Sequence, residues 1–169
     1  MKKWTKFIIL FVIIGLIGTA WHFLYKWLNE SVYVKFLFNT NESIFEHLKM
    51  FFYPIMIVSL IQVSFVEKDK SLFLASRLYG CLFSLVWCVA FYYVYKTNAP
   101  KVSDVVFITS YFVFLFLGLY VSSLLYNHMP TMPEFLRWLA FFIALAIFVC
   151  FIYYSYKPLD TEFFKVLKM

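Results

Sequence analysis

Five times along the chain the sequence runs for about 20 residues with almost no charge, the length an α-helix needs to cross the hydrocarbon core of a bilayer. The runs cover residues 7–25, 44–66, 72–95, 104–126 and 134–156. Inside lipid every backbone polar group must be satisfied internally, which leaves helices as the natural solution for runs of this length. The sequence therefore predicts an all-α, polytopic membrane helix bundle of five transmembrane helices, forming a single integral membrane domain over residues 1–169. Only 14% of residues are charged, against roughly a quarter in soluble domains, and mean hydropathy is +0.82. The formal charge of +6 comes largely from lysines flanking the spans. No basic patch with interleaved polar surface exists, so the expected partner is the lipid bilayer and not nucleic acid.

Lys2, Lys3 and Lys6 precede the first run, and Gly18-Thr19-Ala20 offers small residues of the kind that signal cleavage uses. The apolar run continues through Trp21, Phe23, Leu24 and Tyr25, which predicts an uncleaved first helix. An aromatic piece, Val32 to Phe38, is too short to span and reads as interfacial or re-entrant. Pro54 lies within the second run and predicts a kink there, because it withholds an N–H from the carbonyl of Met50. Glu67 to Lys70 and the stretch around Pro100 read as short connections, and His128 to Pro133 breaks the chain before the fifth helix. Cys81, Cys88 and Cys150 all fall inside spans and read as packing residues. Lysines ahead of the first helix predict a multi-pass protein of the cell membrane with a cytoplasmic N-terminus.

Against this background nine residues stand out, Asn41-Glu42-Ser43-Ile44-Phe45-Glu46-His47-Leu48-Lys49. On a helix Glu42, Glu46 and Lys49 would share a face, with Ser43 and His47 beside them. Carboxylates and an imidazole at the mouth of a membrane helix are costly unless they meet other protein or a wet cavity. Helix order puts several further groups at the same membrane face: His22 at the end of helix one, Asp104 at the start of helix four, and tyrosines including Tyr92. His128 falls at the other face, about 30 Å away, which excludes a site using all three histidines. The expected site thus draws His22, Glu42, Glu46, His47 and Asp104 together.

Two neutral imidazoles with one or two carboxylates suit zinc or another divalent first-row metal. The candidate metal ligands are His22, His47, Glu46 and Asp104. Glu42, Glu46 and His47 are the candidate acid–base residues, and Asn41, Ser43, Lys49 and Tyr92 the candidate ligand contacts. A plainer reading competes with each assignment. Ser43-x-x-Glu46 has the form of a capping box, and Glu46 with Lys49 that of an i,i+3 ion pair. His22 could be a core histidine bonded to a carbonyl, and Asp104 a helix cap. Gln62 and Arg77, near the other face, read as polar pairing between helices two and three.

His22-Phe-Leu-Tyr-Lys-Trp, followed by Asn41-Glu-Ser-Ile-Phe-Glu-His-Leu-Lys, resembles a family of small bacterial multi-spanning membrane proteins of unknown function. The likeness extends to Phe91-Tyr-Tyr-Val-Tyr, Asp104 and the aromatic end of the last span. That resemblance implies a last span ending in His-Pro, where this chain has Lys157-Pro158. It implies no activity. A weaker likeness is to alkaline-ceramidase-like membrane hydrolases, whose Ser-x-x-x-His matches Ser43 and His47. Those enzymes also require a His-x-x-x-His pair near the C-terminus, which this chain lacks.

Three classes of function fit these residues. One is a membrane hydrolase or lipid-modifying enzyme, metal-dependent or acid–base, acting on a lipid at the membrane face. Another is a module that binds or transports a small polar ligand or ion. The third is a non-enzymatic accessory or immunity-type protein whose polar cluster docks a protein partner. An enzyme needs a cavity beside the cluster, whereas an accessory protein would fill that space with its own side chains.

Overall fold

The computed structural model describes residues 3–66, 69–98 and 103–166. Five α-helices dominate it: α1 (Lys3–Trp27), α2 (Ile44–Val63), α3 (Lys70–Asn98), α4 (Asp104–His128) and α5 (Glu134–Tyr156). All five are long and apolar enough to cross a membrane, and no strand occurs among the described residues. At 1.5 Å per residue even α2, the shortest at 20 residues, reaches about 30 Å. Pro54 lies within α2, which is continuous from Ile44 to Val63. Residues 67–68 of the expected polar turn, and the loop around Pro100, lie outside the described residues.

α2 is the most enclosed helix and α5 the least. α5 turns Trp138, Phe142, Leu145 and Val149 outward, as a lipid-facing helix does. The exposed thiol of Cys150 belongs to this outer helix, unlike the buried packing residue Cys81. Between α3 and α4 the seam is built from small residues. A Cβ added at Gly80 would fall 2.7 Å from that of Ser122, and Ser84 Oγ donates to the Phe114 carbonyl at 2.9 Å. In lipid such small-residue seams let dispersion contacts replace the hydrophobic effect as the cohesive force. α1 meets α4 through ring edges, with Phe11 and Phe116 centred 5.5 Å apart. At the face away from the candidate site, Arg77 Nη2 donates to Gln62 Oε1 at 3.2 Å, joining α3 to α2 as expected.

The connection from α1 to α2 shapes that site. Asn29 and Glu30 both take positive φ (54° and 53°), turning the chain sharply after α1. Val32–Val34 forms one 3₁₀ turn, after which four successive carbonyls receive side-chain donors. Lys49 Nζ donates to those of Lys35 (2.9 Å) and Phe38 (3.3 Å), Tyr53 to Phe36 (2.7 Å) and Trp21 to Leu37 (2.7 Å). Irregular backbone at membrane depth is tolerated where protein satisfies it, and α1 and α2 supply those donors. The expected re-entrant or interfacial piece is thus a loop held against the bundle, ending just before the polar string.

A candidate metal centre at one membrane face

Glu42 does not lie on the helix that carries Glu46 and Lys49, contrary to the shared-face expectation. Ser43 is extended (φ −84°, ψ 159°), and its hydroxyl accepts from the Glu46 N–H at 3.3 Å, so α2 starts at Ile44. Only half of the capping box forms, because the Ser43 N–H donates to Asn41 Oδ1 at 2.8 Å and not to Glu46. This turn swings Glu42 off the axis of α2 toward α1. There Glu42 Oε1 lies 3.1 Å from His22 Nε2, and Oε2 lies 3.4 Å from His47 Nε2. One donor atom from each of the three residues falls within 4.8 Å of the others.

The protonation of His47 follows from its neighbours. Its Nδ1 is 2.8 Å from the Ser43 carbonyl, which can only accept, so Nδ1 carries a hydrogen. A neutral His47 then has a bare lone pair at Nε2, facing a carboxylate oxygen. The Glu42 carboxyl is ionised near neutral pH by its ordinary acidity, and hydrogen bonding from the His22 and His47 rings, wherever those rings carry the proton, only lowers it further, so that oxygen is anionic. Two electron-rich atoms at this distance need something positive between them. That is either a second proton on His47 or a metal ion.

Bonds of about 2.0–2.1 Å at tetrahedral angles place neighbouring ligand atoms about 3.3–3.4 Å apart. The two His–Glu42 distances match that but reach different carboxylate oxygens, and an ion would draw the three donor atoms closer than the 4.8 Å within which they lie. The Nδ1–H···O=C bond of His47 is also the support that usually orients a metal-binding imidazole. His22 has no such support, for its buried Nδ1 is unpartnered among the described residues. All three residues line a cavity of about 350 Å³, with Asp104 on its rim and Tyr111 among its walls.

The other predicted site residues fall elsewhere. Glu46, expected among both the metal ligands and the acid–base residues, is buried beside Lys49. Its two oxygens each lie 2.9 Å from Lys49 Nζ, and Oε2 accepts from the Thr40 N–H at 2.7 Å. The ammonium also donates to Ser155 Oγ on α5 at 2.7 Å. Lys49 and Glu46 thus form a buried lock joining α2, α5 and the α1–α2 connection. Asp104 is the first residue of α4 and lines the cavity, outside the three-residue cluster. Asn41 serves the start of α2. Tyr92 is buried against Ile44 and Phe107, with His47 nearby on a cleft of about 20 Å³. Tyr111, like Thr19 a polar residue of the cavity lining, lies outside the predicted set. It stands seven residues after Asp104, two turns along the same face of α4, and that spacing is the signal that could have found it.

Fold and cluster together define a helical multi-pass membrane protein with a His–Glu–His candidate metal centre. Residues 1–167 match a family described as a family of unknown function (DUF6512), and the chain belongs to it. The chain matches no curated protein and no solved structure.

Proposed function

We propose that His22, Glu42 and His47 hold one divalent metal ion, zinc being the best match to two imidazoles and a carboxylate, and that the protein is a metal-dependent membrane enzyme of hydrolase or lipid-modifying type. The observation that carries this reading is the Nε2 of His47, facing an ionised carboxylate at 3.4 Å while Nδ1 is committed to the Ser43 carbonyl. The cavity beside the cluster supports an enzyme over an accessory protein, which would have closed that space. A divalent ion so placed would polarise a carbonyl or phosphoryl oxygen, or make a water acidic enough to lose its proton near neutral pH. Around it, Ser43 fixes the ring of His47 and Glu42 supplies negative charge. Asp104, outside the cluster but on the same cavity, is the carboxylate left to exchange a proton with water or substrate.

The competing reading keeps the same geometry with a proton in place of the metal. His47 is then an imidazolium and the cluster an ion-paired staple between α1 and α2, in keeping with a non-enzymatic protein. Zinc titration separates the two. Added to chelator-treated protein at about 100 times its dissociation constant, zinc should stabilise the fold by about 2.7 kcal/mol, read as a rise in Tm. His47→Ala should remove the rise. An unchanged Tm in the wild-type protein would leave the staple.

A further inference from the structure

We propose that the cavity beside the cluster admits a lipid from the membrane, its carbonyl or phosphoryl head meeting the Tyr111 hydroxyl and one tail lying in the groove between α1 and α4. This names the substrate class of the site proposed above and rests on that reading, although lipid labelling and zinc uptake are read separately in its test.

Three observations converge on it. Tyr111 is only 8% exposed, and its hydroxyl has no hydrogen-bond partner among the described residues. A buried hydroxyl left unpaired is costly, which leaves Tyr111 ready to donate to a group that enters beside it. The space it occupies is shaped for it. Gly18, one turn below His22 on α1, leaves room where any Cβ would collide with the Tyr111 oxygen. The same missing Cβ would fall 2.8 Å from the carbonyl of Met50, to which Pro54 supplies no N–H. A donor and an acceptor thus sit just beneath the histidines.

The cavity also changes character along its length. Its outer end carries His22, Phe23, Glu42, His47 and Asp104, and its inner walls include Ile108 and Phe112, further along α4. Ile108 and Phe112 wall a second, apolar hollow of about 420 Å³ that continues past Phe11 to Phe116 and Leu117. From Asp104 to Leu117 is about 20 Å along α4, enough to cross one leaflet of a core about 30 Å thick. The groove opens sideways as well, since Ile108 is 60% and Val113 47% exposed. A head group at the membrane face and a tail directed toward the bilayer midplane is how a lipid already lies. Nothing needs to leave the membrane to enter.

Photolabelling tests the proposal on full-length protein in phosphatidylcholine nanodiscs, using palmitic acid with a mid-chain diazirine as the probe. Label is expected chiefly on Ile108, Phe112, Val113 and Phe116. Tyr111→Phe should cut that labelling about fivefold to tenfold, the value of one hydrogen bond, without lowering Tm, because the hydroxyl has no partner within the described fold. Ile108→Trp should block the groove and abolish the label while zinc uptake persists. Groove labelling no stronger than at Phe142 and Leu145 on α5, or indifferent to Tyr111→Phe, would overturn the proposal. Strong, Tyr111-dependent labelling in protein that takes up no zinc would support the lipid site and sink the metal.

Discussion

At the scale of residues, the chemistry turns on which carboxylate meets the imidazoles. Glu42 and Glu46 are about one helical turn apart in sequence, yet Glu42 pairs with His22 and His47 while Glu46 pairs with Lys49. Glu42→Gln should therefore weaken zinc binding by more than the ~10–100-fold typical of losing a mere supporting partner. Glu46→Gln should leave zinc affinity unchanged in whatever fraction folds, as isothermal titration of both variants would show. Equal losses in the two would mean that the sites are not separate. The residue types at this face, and the pairing of Glu46 with Lys49, are legible in the sequence. The choice between the two glutamates is not, because helical periodicity carried back to Asn41 ignores the extended backbone of Ser43. Tyr111 is hard to single out as one tyrosine among 13.

At the scale of elements, hydropathy locates each helix but says little about its neighbours. A helix that lipid surrounds is apolar on every side, so no stripe marks its buried face. Small residues carry that information instead. Gly80, Ser84, Gly118 and Ser122 bring α3 and α4 to close range, and a Cβ at Gly118 would meet both Ser84 and the Gly80 carbonyl. Gly118→Val should destabilise the bundle by about 1–3 kcal/mol or more, as overpacking does, seen as a lower Tm in detergent. Leu145→Val, on the lipid-facing side of α5, should leave Tm nearly unchanged. The loop between α1 and α2 reads from sequence only as short and aromatic. What holds it is a set of donors, Trp21, Lys49 and Tyr53, that lie far from it in sequence.

At the scale of the whole molecule, five spans follow from length and composition, and their alternation alone brings the end of α1 and the starts of α2 and α4 to one face. His128, at the far end of α4, is excluded from the site by the same path. The proposed chemistry stands or falls with a metal ion, and not a proton, between Glu42 and His47. Elemental analysis of protein purified without chelator, wild type beside His47→Ala, decides between them. Close to one zinc or similar divalent ion per wild-type chain is expected, and almost none in the variant. A wild-type protein that stays metal-free after zinc loading, with its His47 ring doubly protonated by NMR, would contradict the metal centre.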